Sequence, residues 1–266
     1  MKLNVGAGTV RLDGFENVDV RAVGPDVRLG HAGDLSFASD GMVDVLFAHA
    51  VFEHVYPAQQ LVVLREWKRV LAPGGVAVCI GIPDFEAVAS AYVAGAPGAT
   101  APTFDLFEVY RYTHGHPEHQ TQVEWPQWDP AEHADATPPG YAPQLHKGLF
   151  DTRHLSCLLE RVGFEASLLR YAYPGEIPEI NLGFAAGAGC ADPAVAERHL
   201  LAIPEIERFV RRETLTFHPL RSGGGERFVD EVARLDGTDA TNSAGSVGDV
   251  RRAAIRLLRG IRATFR

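Results

Sequence analysis

Residues 43–82 constrain the fold of this chain more than any other stretch. The run Val-Asp-Val-Leu-Phe-Ala at 43–48 is nearly all apolar, as a parallel strand covered on both faces should be. Residues 58–71 then set Leu61, Leu64, Trp67, Val70 and Leu71 at helical spacing. Pro73-Gly74-Gly75 stops that pattern, and 76–82 is the most hydrophobic strand in the chain. Two parallel strands need a crossover of this length, and its helix lies on a face of the sheet. Shorter runs at 3–5, 16–20 and 27–29 extend the rhythm upstream. The expected fold is α/β, a doubly wound, mostly parallel sheet.

The rhythm breaks at 95–146, a stretch rich in Pro, Gly, His and aromatic residues. It returns with a helix at 152–162, whose C-cap is Gly163. Two strands follow at 164–173 and 181–188 and form an antiparallel end to the sheet. Helices are expected at 193–201, 204–215 and 228–235, the first two with Pro near the start. Residues 236–248 carry almost no apolar side chain and read as a flexible linker. Residues 249–266 read as an amphipathic helix, and 251–266 contain six arginines and no acid. The expected organisation is a core domain at 1–190 with an insert at 95–146, a helical extension at 191–235, the linker, and the basic helix.

Composition narrows the function. Three cysteines, Cys79, Cys157 and Cys190, cannot pair evenly and lack a CxxC spacing. That excludes a disulfide framework and a four-cysteine zinc site. No run of eighteen apolar residues occurs, and the opening residues lack the apolar core of a signal peptide. No membrane span is therefore expected, and the expected location is cytoplasmic. A formal net charge of −9 argues against a nucleic-acid partner. The basic helix at 249–266 is expected to pack on the domain or on a second copy in a homodimer. Its other readings are peripheral contact with an anionic membrane surface and contact with nucleic acid.

The first strand runs into Gly6-Ala7-Gly8, a loop that lets a ligand approach the backbone at the carboxyl edge of the sheet. The third glycine of a dinucleotide fingerprint is absent, Arg11 standing in its place. Only nine residues separate Gly8 from Val18, too few for a full crossover helix. Both features disfavour a pyrophosphate at a helix N-terminus, and so a nicotinamide cofactor. Asp19 ends the second strand, where a carboxylate accepts from both hydroxyls of a ribose. Asp34, in Gly33-Asp34-Leu35, is placed to accept from an adenine amino group. In this order the three features read as a nucleoside cradle.

These segments, with Val43-Asp-Val-Leu-Phe-Ala-His-Ala-Val-Phe-Glu-His54, Arg65-Glu-Trp-Lys-Arg-Val-Leu-Ala-Pro-Gly-Gly75, Ile82-Pro-Asp84 and the later His146-Lys147 and Phe150-Asp151, resemble a class I S-adenosylmethionine-dependent methyltransferase. The likeness spans roughly residues 1–190. It is closest to a compact bacterial group linked to sugar, polysaccharide or natural-product biosynthesis. The resemblance implies a Rossmann-like, seven-stranded sheet whose last strand is antiparallel. It implies S-adenosylmethionine as cofactor, held by Asn4, Gly6, Ala7, Gly8, Asp19, Asp34, Leu35, Ala48 and His49. The N-terminal helices that cover the cofactor in many relatives have no counterpart before the first strand, so 95–146 is the expected lid.

Methyl transfer to oxygen needs two positioned reactants and the removal of one proton. His49, His146 and Asp84 are the catalytic candidates, as base or as holder of the acceptor. Glu53 and His54 are further base candidates, and the resemblance implies that this pair organises the helix it opens. Trp125, Trp128, Tyr110, Tyr112 and Tyr141 suit a sugar ring or an apolar acceptor, or the insert's own small core. The spacing of His114-Gly-His116-Pro-Glu-His119 suits zinc, but no cysteine lies nearby, and no metal centre is expected. The expected function is O-methylation of a sugar or another small hydroxylated molecule. The rivals are a non-catalytic, cofactor-binding scaffold of the same fold and a nicotinamide-dependent oxidoreductase.

Overall fold

A computed structural model describes residues 1–21, 23–98, 101–115, 145–176, 179–221 and 223–235. The expected linker at 236–248, the basic helix at 249–266, and Trp125, Trp128, Tyr141, His116 and His119 of the insert lie outside the described residues.

Strands β1 (Lys2–Val5), β2 (Glu16–Asp19), β3 (Val27–Leu29), β4 (Val43–His49) and β5 (Leu71–Pro83) run parallel. Helix α1 (Pro57–Val70) makes the crossover from β4 to β5. It opens with proline in its first turn, where a missing N–H leaves no bond unmade, and buries Val63, Leu64, Trp67 and Val70. Helices α2 (Phe85–Ala94) and α3 (Leu106–His114) follow β5. Helix α4 (Thr152–Val162) is capped by Asp151, whose side chain accepts from His154 N, and ends at Gly163 in the left-handed conformation. It leads into β6 (Ala166–Tyr171). Strand β7 (Asn181–Gly187) then enters antiparallel between β5 and β6, giving the order β3-β2-β1-β4-β5-β7-β6-β8. The antiparallel end read from the sequence is present.

The sheet has eight strands rather than seven. Strand β8 (Thr216–Pro219) pairs antiparallel with β6 at the edge. The helix expected at 204–215 is instead two short 3-10 turns, Ile206–Arg208 and Arg212–Thr214. Ile203, Ile206, Phe209 and Val210 have helical spacing because all four are buried. The backbone, however, is left-handed at Glu205 (φ 56) and bonds outside itself. Arg211 N donates to Ala172 O at 3.0 Å, and Ala172 N donates to Thr214 Oγ1 at 2.9 Å. These bonds tie the segment to the end of β6 where a helix would have used its own carbonyls.

That segment also completes the core. The connections from β1 to β2, β2 to β3 and β3 to β4 contain no helix, so they leave one sheet face uncovered. Helix α5 (Pro193–Leu201) and the two 3-10 turns cover it. Ala196, Leu200, Ile203, Ile206 and Phe209 join Phe47, Val78, Ile80 and Leu169 in one buried cluster. The expectation that residues past 190 stand outside the sheet's core is thereby corrected. On the other face Phe184 meets Trp67 and Phe52, with ring centroids 6.3 and 6.2 Å away. A second compact unit begins at Arg227, and its described part belongs to helix α6 (Glu226–Leu235). Among the described residues no helix is long and apolar enough to cross a membrane.

Candidate active site

Gly6 and Gly8 carry the chain off β1 in the left-handed conformation, at φ 69 and φ 52. A Cβ on Gly6 would meet Val51 Cγ2 at 2.2 Å, so the turn after β4 packs directly on the loop backbone. Asn4 supports the loop from behind. Its buried side chain donates to Val10 O at 3.0 Å and to Asn17 Oδ1 at 2.9 Å. Ala7 N donates to Val18 O at 3.0 Å. Asp19, only 4% exposed, closes the cradle. Its Oδ2 accepts from Gly8 N at 2.8 Å, and its Oδ1 accepts from Arg21 N at 2.9 Å and Arg21 Nε at 3.3 Å. A carboxylate offers about four lone-pair sites, so with these three bonds made Asp19 keeps room for a further donor. Left-handed glycines beside a strand-end carboxylate fit the nucleoside of S-adenosylmethionine. Asp34 is exposed and accepts from Ser36 N at 3.2 Å. The Leu35 and Ala48 side chains are in the core.

The catalytic candidates separate. The His49 ring lies 4.4 Å from the Phe209 ring, and its Nε2 is 2.6 Å from Tyr173 Oη. Burial pushes its pKa down to about 4, so this imidazole is neutral at pH 7. Asp84 is fully buried and caps α2, accepting from Glu86 N at 3.1 Å. Its Oδ2 sits 2.6 Å from Arg170 Nη2, an ion pair rather than an aligned hydrogen bond. Burial raises its pKa against the pull of Arg170.

His146 is brought to the β4 edge by a clamp. Lys147 N and Gly148 N donate to Glu53 O at 2.8 and 3.1 Å. The Nδ1–H groups of His54 and His146 donate to Leu145 O and Tyr112 O, each at 2.9 Å. Ligating atoms of Glu53, His54 and His146 consequently lie within 4.8 Å of one another. Burial pushes Glu53 up to about 8 and His54 down to about 4, so both are uncharged at pH 7. From the sequence, Glu53 and His54 are base candidates with an organising part as the favoured reading. Their one visible signal was an acid–imidazole pair directly after an apolar strand. A cleft of about 390 Å³ adjoins the cluster, lined by Phe85, Val109, Thr113, His114, His146 and Lys147. Another, of about 240 Å³, lies at Thr152, Arg170, His218 and Arg221, away from the glycine loop.

Residues 5–79 match the family described as Methyltransferase domain. That stretch contains the glycine loop, Asp19 and the turn after β4. That stretch is thus similar to a methyltransferase domain, whose usual methyl donor is S-adenosylmethionine. Similar solved structures include one described as SAM-dependent methyltransferases from Methanosarcina mazei, at 15% identity and a TM-score of 0.43, covering 70% of this chain and 91% of that one. Another is a SAM dependent methyltransferase from Archaeoglobus fulgidus, at 13% identity and a TM-score of 0.42, covering 70% and 84%. No curated protein matches the chain. The glycine loop and the Glu53–His54–His146 cluster meet at one turn, since Val51 lies against Gly6 and Glu53 follows two residues later.

Proposed function

We propose that the protein transfers the methyl group of S-adenosylmethionine to an oxygen of a small hydroxylated acceptor, with a sugar as first choice. One observation carries this reading. His146 belongs both to the wall of the 390 Å³ cleft and to the cluster on the turn that packs against Gly6. An acceptor in the cleft therefore lies between polar side chains and the cofactor edge. Thr113, His114, His146 and Lys147 offer hydrogen bonds to hydroxyls, and Phe85 offers a ring face. The sulfonium needs no activation, so the protein's part is to position the acceptor oxygen and take its proton. We assign that proton to the Glu53–His54–His146 cluster.

The test is methyl transfer from labelled S-adenosylmethionine to a panel of free sugars, sugar nucleotides and small phenols. Release of S-adenosylhomocysteine should match label gained by a sugar, and His146→Ala should lower turnover at least a hundredfold. Tight cofactor binding without turnover on any panel member would favour the scaffold reading instead.

A further inference from the structure

We propose that Glu53, His54 and His146 form the binding site for one divalent transition-metal ion, with zinc as the best fit. Two imidazoles and one carboxylate are a ligand set that holds such an ion and leaves positions open for another oxygen. The three side chains offer atoms within 4.8 Å of one another, and Glu53 Oε1 lies 3.7 Å from His54 Nε2. Ligands about 2.1 Å from a tetrahedral ion stand about 3.4 Å apart. The set therefore closes by little more than 1 Å, within the reach of side-chain rotation.

A second observation points to a ligand at the same place. Glu53 is 2% exposed, yet its Oε2 has no hydrogen-bond partner. Leaving a buried carboxyl oxygen unsatisfied is costly, and a bound ion removes that cost. The outer shell is also in place. His54 and His146 each donate Nδ1–H to a backbone carbonyl, which fixes the tautomer with its lone pair on Nε2. The Lys147 and Gly148 amides lock the His146 segment onto Glu53 O, so the ligands are tied together before any ion arrives. Magnesium and calcium prefer all-oxygen sets, which this one is not. The site itself does not depend on the acceptor being a sugar. What rests on the function proposed above is only its use, in which the ion would orient an acceptor hydroxyl at an open position.

Full-length protein stripped of metal should be titrated with Zn²⁺ by calorimetry and with Co²⁺ by visible absorption. The expected result is one ion per chain and the bands of four- or five-coordinate Co²⁺. Glu53→Gln and His146→Gln should each weaken binding at least tenfold. Glu53→Gln keeps the side-chain shape, and S-adenosylhomocysteine binding by the same samples reports an intact fold. Absence of saturable binding to the parent overturns the proposal. So does binding that neither substitution weakens, which would place the ion on other histidines. A failed sugar screen with normal ion binding would remove the acceptor reading and leave the metal site standing.

Discussion

Replacing Asp84 separates a folding role from a chemical one. Asp84→Ala deletes the acceptor that caps α2, a loss of about 1 kcal/mol. It also removes the nearer and fully buried partner of Arg170, at 2.6 Å, and leaves it only Glu86 Oε2 at 3.5 Å. Breaking a buried pair from one side loses about 3–5 kcal/mol. The Arg170 side chain is 31% exposed and can recruit water, so the lower end applies. The sum is about 4 kcal/mol for Asp84→Ala. Asp84→Asn keeps an oxygen for Glu86 N and loses only the charge, a loss of about 1–2 kcal/mol. Burial raises the Asp84 pKa even with Arg170 alongside, so desolvation outweighs attraction and the pair itself adds little. Adding Arg170→Met to Asp84→Ala should therefore recover about half of the loss. Urea unfolding followed by circular dichroism measures all three variants, and calorimetry with S-adenosylhomocysteine should find the Asn variant within about twofold of the parent. An Asp84→Asn variant as stable as the parent but devoid of methyl transfer would refute the reasoning and place Asp84 in the chemistry.

Asp19→Ala should weaken S-adenosylhomocysteine binding at least tenfold, because charge-assisted hydrogen bonds are worth about 1.5–3 kcal/mol; an unchanged dissociation constant by calorimetry would remove Asp19 from the ribose site. His49 titrates near 4 when folded against 6.5 when unfolded, so between those values only the unfolded chain takes the proton. Stability should thus be level above about pH 6.5 and fall by about 3 kcal/mol towards pH 4 on account of this residue. His49→Phe should flatten part of that slope in melting curves recorded from pH 7.5 to 4.5, and equal slopes for both proteins would count against a neutral buried imidazole. Phe209→Ala should destabilise the domain by about 3–5 kcal/mol, since its ring is 6% exposed and stacks on His49 and Phe47. A loss under 1 kcal/mol in urea unfolding would show that the 3-10 segment is not part of the core.

The parallel sheet was legible because its signals are local. Leu61, Leu64, Trp67 and Val70 repeat at a period only a helix explains, and the apolar runs at 43–48 and 76–82 flank them. The positions of Gly6, Gly8 and Asp19 were legible for the same reason, as they stand at strand ends. Periodicity misled at 204–215. Burial every third or fourth residue looks the same whether a helix or two 3-10 turns tied to β6 bring it about. Asn4 and Asp84 carry chemistry that suits a site, but Asn17 and Arg170, which hold them, lie on other strands.

The sequence alone determined a glycine turn and a strand-end carboxylate on a parallel sheet, because these are encoded within a few neighbouring residues. Tertiary structure decided what covers the second face of that sheet and what surrounds His54 and His146. Phe209 meets Phe47, and Leu145 O meets His54 Nδ1 across 91 residues. Such contacts arise when loops close over a finished core, and no local pattern records which segments will meet.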